Sequence, residues 1–359
     1  MSLGGWLIGS PSPKPPTAVR TAVQPVAKPI AATTANGSLH DGSSYTPWLY
    51  ANLTTSIGTA TTVDGSADRV VIRTGDSERE VDRVASDRYP EFLGFVSAGD
   101  DVFWAEVSVL PNNGPTQTRI MRASWSRPGR PVALTADTGA AVFFNSQFDL
   151  LVAQGRVWWA AAAPSDALAT EVRSVPVGGG KITKRTVPGP YELSIWPWLQ
   201  SAGDGNTPLH LLNLDTGQTV PIARSAAELV ACTPQWCRSI LQSANGTAAR
   251  FDMMRPDGSD RRRIAGPNAA AVSSDTAFLG RFEVLTVTEA GKQNLTVYDI
   301  DTRTTTTVAR DIGMVLCRGG MLWWSTGDKP GGDGVEQWHT VDLRTLTSAA
   351  SPTRSPAAR

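Results

Sequence analysis

Short runs in which apolar and polar residues alternate fill the chain from Tyr45 to Ala349, and they come in groups. Each group has an apolar run, a second run rich in aromatic residues, and two further runs joined by a tight turn. The last pair is clearest in LHLLNLDTGQTVPIAR (209–224), FDMMRPDGSDRRRI (251–264) and LTVYDIDTRTTTTVAR (295–310). Alternation with a period of two marks half-buried strands. Asp-Thr-Gly and Asp-Gly between them are hairpin signals, because glycine reaches positive φ cheaply and the Asp carboxylate bonds to backbone two residues on.

Looser copies run over 69–84, 118–134, 170–187 and 337–349. Aligned on Gly75, Gly129, Gly179, Gly217, Gly258, Arg303 and Leu346, the seven copies recur about every 45 residues, a period typical of propeller blades. Arg303 and Leu346 stand where the others have Gly, so their turns must tolerate a side chain. Ahead of each hairpin lies an apolar run, for example FLGFVSA from Phe92, AVFFNSQFDLLVAQ from Ala141, ELVAC from Glu228 and IGMVLC from Ile312. No amphipathic helical pattern of ten residues or more is present. The chain is therefore expected to be all-β, a β-propeller of seven blades; six blades, with the N-terminal repeat packed outside, is the alternative.

Most tryptophans fall in the second run of a repeat: Trp104, Trp158, Trp159, Trp196, Trp198, Trp236, Trp323 and Trp324. Exposed rings of this kind would form a stacking platform for carbohydrate. Their place in strand centres favours packing between twisted sheets instead.

FDMMRPDGSDRRRI and LHLLNLDTGQTVPIAR resemble the strand–turn–strand of the WD-like repeats in TolB-type β-propellers. The match is close over two repeats and loose over the others. The resemblance implies a propeller that acts through partners; it implies no activity.

Of 359 residues, 33 are basic and 33 acidic, so the chain has no general pull toward nucleic acid or anionic membrane. Residues 1–40 are rich in Pro, Ala and Thr without apolar periodicity and read as a disordered N-terminal arm; 41–349 read as the propeller and 350–359 as a disordered tail. The leading MSLGGWLIGS has neither a basic n-region nor an apolar stretch of signal-peptide length; the tail of a membrane anchor is one reading of it, and the one expected link to a membrane. Such a spacer favours an extracytoplasmic site, secreted or tethered, over a cytoplasmic one. A monomer is expected.

Cys232 and Cys237 bracket Thr-Pro-Gln-Trp at a turn between strands, a spacing that suits a disulfide; two reduced, buried thiols are the alternative. Cys317 is expected to be an unpaired core residue. His40, His210 and His339 form no metal-binding pair, and neither a nucleophile elbow nor a phosphate-binding loop occurs. No catalytic, cofactor-binding or metal residue is therefore assigned, and no cofactor is expected. Arg261, Arg262 and Arg263, with Lys181, Lys184 and Arg185 elsewhere, read as solvated outer-strand residues. The loop GDKPGGDGVE (327–336) is Asp-rich enough for Ca²⁺ but reads as a polar connection. The leading functional reading is a non-catalytic binding or scaffold protein of the bacterial cell envelope that engages a protein, peptide or envelope polymer through blade loops. The alternative is a glycan hydrolase or lyase with paired carboxylates at the channel mouth, Glu106, Asp204, Asp328 and Asp333 being candidates.

Overall fold

The computed structural model describes residues 31–112, 114–144, 146–164, 168–202, 208–273, 275–327 and 335–348. Within them lie seven antiparallel sheets in chain order, which we number as blades. Blades 1 to 6 span 46–85, 91–135, 140–188, 191–221, 228–265 and 269–309; blade 7 takes three strands from 315–342 and its fourth from Thr33–Asn36. The all-β expectation and the count of seven both hold. One short helix, Arg344–Ser348, follows the last blade.

Each blade buries apolar side chains against its neighbour, since a single four-stranded sheet cannot cover either face alone. Phe95 and Trp104 of blade 2 pack on Ile57 and Val70 of blade 1, and Trp159 of blade 3 packs on Phe103 and Ile120 of blade 2. Further cores join blades 3 and 4, 4 and 5, 5 and 6, and 6 and 7. Tyr50 of blade 1 meets Trp323 and Trp338 of blade 7, completing the ring. Of the aromatic column, Trp104, Trp159, Trp236, Trp323 and Trp324 are buried packing material, while Trp158, Trp196 and Trp198 are half-buried.

The ring is sealed by the strand Thr33–Asn36, which pairs antiparallel with Gln337–Thr340 and supplies the outer strand of blade 7. The chain then turns into blade 1 through Gly37. A Cβ there would lie 2.7 Å from Glu336, so only glycine lets the two segments approach. Arg73 of blade 1 donates to the Asn36 carbonyl, and the Trp323 and Trp338 indoles of blade 7 donate to the carbonyls of Pro47 and Tyr45 at 3.0 and 2.9 Å. First and last blades are thus bonded to each other through buried polar groups.

Three sequence expectations change. Thr33–Asn36 lies inside the stretch read as a linker, so the propeller starts ahead of residue 41; too short to show periodicity, this strand gains its stability from its partner. Residues 1–30 lie outside the described residues. The seventh repeat does not turn at Leu346, which sits in the helix 344–348, because the N-terminal strand already occupies the edge. The run from Ala141 is not one strand: Ala140–Ala141 and Leu151–Ala153 both pair with Arg156–Ala162, and the residues between leave the sheet. The turn at Arg303 does tolerate a side chain, in the left-handed region with φ of 60°.

Removing residues 1–31 is expected to leave the melting temperature unchanged. Removal through Gly37 exposes the edge of blade 7 and should lower it by about 5 °C or more. Differential scanning calorimetry of the two truncations checks this.

Candidate functional site

Residues 142–144 and 146–150 leave blade 3 and reach blades 6 and 7 on the far side of the ring. Their conformation is set locally by Asp149, whose carboxylate accepts the amides of Phe144 (2.9 Å) and Ser146 (3.1 Å). The Ser146 hydroxyl accepts the Phe148 amide and donates to Asp275 of blade 6 at 2.5 Å. Asp275 also accepts the Gln147 amide at 2.8 Å. From blade 7, Arg318 donates to the carbonyls of Ser146 (3.0 Å) and of Phe95 in blade 2 (2.9 Å). One loop thereby ties blade 3 to blades 6 and 7, and Arg318 brings in blade 2. Burial pulls the Arg318 guanidinium below its ordinary pKa, against the opposing charges of Asp275 and Asp149.

Next to this latch, Arg238 of blade 5 forms a buried ion pair with Glu283 of blade 6 at 2.6 Å and donates to the carbonyls of Asp275 and Ser273. Glu283 accepts from Thr276 and from the Ala277 amide as well. The charges here are engaged, which is the condition for burying them.

A cavity of about 330 Å³ opens beside the crossing loop, between blades 4 and 5. Phe148, Leu193, Leu229 and Ile240 give it apolar walls, and Ser146, Gln200, Arg238 and Asp275 reach it with polar groups. Glu192, on the first strand of blade 4, lines it too. Gln200 stands opposite Glu192 in the ladder but turns away, its side-chain oxygen accepting the Cys232 amide of blade 5. Burial raises the Glu192 carboxyl above its usual pKa, and Asp149 and Asp275 push it the same way. Leu229 on the cavity wall is about half exposed, at 53%, as is Phe144, at 51%, which lies outside the cavity next to Glu192 and Phe148.

The residues singled out from sequence fall elsewhere. Glu106 is fully buried at the interface of blades 1 and 2, paired with Arg119 and close to Asp82. Asp204, Asp328 and Asp333 lie outside the described residues, as does most of the loop 327–336. His210 bonds to the Tyr191 hydroxyl at 2.6 Å, His339 to Thr34 and Thr326, and His40 faces Glu78. Arg261 is exposed and also pairs with Glu228 and Asp252 within blade 5. Arg263 is exposed. Cys317 is buried and unpaired, and burial pushes its thiol up. Cys232 and Cys237 face each other in register across two strands of blade 5, their Cα atoms 4.1 Å apart and their sulfurs at bonding distance.

Sequence reasoning did not find Glu192, Asp149, Asp275 or Arg318. A signal existed for the loop: Asn-Ser-Gln and Asp149 interrupt the apolar run 141–154, and no period-two strand accommodates them. Glu192 gave none, being an ordinary polar position on a strand.

No protein-family model matches the sequence, and no curated protein matches it significantly. The architecture is that of a seven-bladed β-propeller, and solved propellers resemble it in fold. A structure from work on two prolyl endopeptidases matches 86% of this chain at 12% identity with a TM-score of 0.51; the chain spans about half, 49%, of that protein. An uncharacterized protein from Listeria monocytogenes EGD-e matches 89% of this chain and 96% of its own at 10% identity and the same TM-score. TolB from Acinetobacter baumannii matches 69% of this chain and 60% of its own at 12% identity, with a TM-score of 0.40. At these identities the likeness is one of fold.

The Asp82–Glu106 contact generates a pH prediction. Asp82 Oδ2 and Glu106 Oε2 are both buried without a donor, so a proton on Asp82 can be shared between them. Burial first, and the Glu106 charge second, push Asp82 up to about 6. The folded state then holds that proton more tightly than the unfolded chain, so its stabilising contribution is full below about pH 4 and is lost as pH rises through 6. Thermal melts should show Asp82→Asn more stable than the parent at pH 7.5, with the difference shrinking toward pH 5.

Proposed function

We propose that this propeller is a non-catalytic binding protein of the cell envelope that receives a protein or peptide on the face where the cavity beside the axis opens. The observation that carries this reading is the latched loop 142–150. It is bonded to blades 6 and 7 and borders a modest cavity with the half-exposed Leu229 on its wall, a shape suited to recognition. Of the carboxylates near the cavity only Glu192 is uncommitted, and glycan cleavage by paired carboxylates needs two. Asp149 and Asp275 accept backbone amides from the loop, and Asp275 accepts the Ser146 hydroxyl too, so their oxygens are committed to holding structure rather than to acid–base work.

The extracytoplasmic part of the proposal rests on Cys232 and Cys237. Disulfides persist in oxidising compartments, and this pair is placed to form one. Protein isolated from its native source, denatured and alkylated without reductant, should take up a single alkyl group, on Cys317. Uptake on all three cysteines by mass spectrometry would contradict the assignment.

The binding reading is tested by photo-crosslinking in the native cell. A photoreactive amino acid at Leu229 should give a discrete protein adduct, and one at the exposed outer-strand position Arg263 should not. Adducts equal at both positions, or absent at both, would count against the cavity face as the binding surface.

A further inference from the structure

We propose that the cavity between blades 4 and 5 selects a peptide carrying a lysine or arginine, the cationic group seated on the Glu192 carboxylate and the flanking apolar side chains lying on Leu229 and Phe144. This rests on the binding role proposed above and specifies the chemistry of its ligand.

Glu192 differs from every other charged group around the cavity. Arg238 is neutralised by Glu283, Asp275 holds the crossing loop through Ser146 and Gln147, and Asp149 holds the amides of Phe144 and Ser146. Glu192 has no hydrogen bond or ion pair among the described residues, and its ladder partner Gln200 is committed to the Cys232 amide. A carboxylate that is partly removed from water and faces two other carboxylates gains most from a cation brought in by a ligand. The other polar groups that reach the cavity, Ser146, Gln200, Arg238 and Asp275, are each engaged within the fold.

Size and shape decide between classes of cation. At about 330 Å³ the cavity is near the lower end of ligand sites, roughly 300–1,000 Å³, and accommodates one long side chain rather than a folded segment. No group of three metal-ligating side chains occurs among the described residues, which disfavours a bare divalent ion. The half-exposed Leu229, on the cavity wall, and Phe144, one wall away next to Glu192 and Phe148, extend the site outward as an apolar rim. A free amine would leave that rim uncovered. A peptide covers it.

The experiment uses fluorescein-labelled, end-blocked Leu-Lys-Leu, Leu-Arg-Leu and Leu-norleucine-Leu, titrated with the full chain by fluorescence polarisation at pH 7.5. The expected result is that the lysine and arginine peptides bind about tenfold or more tightly than the norleucine peptide, and that Glu192→Gln brings all three to the norleucine level with a melting temperature no lower than the parent's. Leu229→Ser should weaken all three alike. Equal binding of the lysine and norleucine peptides, or full binding retained in Glu192→Gln, overturns the charge selection while leaving the cavity face as a peptide surface. Absence of binding by every peptide overturns this inference, and the crosslinking at Leu229 then reports separately on the broader role.

Discussion

A ring of twisted sheets is stable only if it closes, and this one has to close in two places. Around the rim, every blade covers the apolar faces of its neighbours, so one open seam would expose two faces and an edge together. At the axis, the inner strands converge and leave a hole lined with backbone and polar groups that need partners. The strand 33–36 meets the first demand and the loop 142–150 the second. Both solutions use segments far away in sequence. The serine at the axis and the aspartate that receives its hydroxyl are 129 residues apart.

The axial closure shapes what the molecule can do. Arg318, Asp275 and Asp149 are consumed in fixing the crossing loop, which ties blade 3 to blades 6 and 7. Beside that loop lies a cavity walled by blades 4 and 5 and containing one carboxyl without a partner among the described residues. Loops on a rigid frame are where propellers place specificity. Here the frame also sets the electrostatics, since Glu192 is raised by burial and by two carboxylates that cannot move away.

The architecture was largely legible in the sequence because it is repeated. Hairpins at Gly217 and Gly258 and the tryptophan column each carry local signals, and recurrence at a fixed spacing turns weak signals into a strong one. Closure was not legible. Thr33–Asn36 is a four-residue edge strand defined by the blade it joins, and its composition is that of the linker before it. The break in the run 141–154 left a trace in its polar residues, but their partners, Asp275 and Arg318, come from blades that only the ring brings near. The carboxylates chosen from sequence were chosen as acidic residues in blade loops. Glu106 belongs instead to an inter-blade contact, where its partner is Arg119.

The axial latch is tested most directly by hydrogen–deuterium exchange at the amide of Gln147, resolved by NMR. Held by the Asp275 carboxylate, this amide should be protected to the level of the flanking strands, and Asp275→Ala should release it while the strand amides of blade 1 stay protected. Exchange of Gln147 at the rate of an open loop in the unaltered protein would contradict a closed axis.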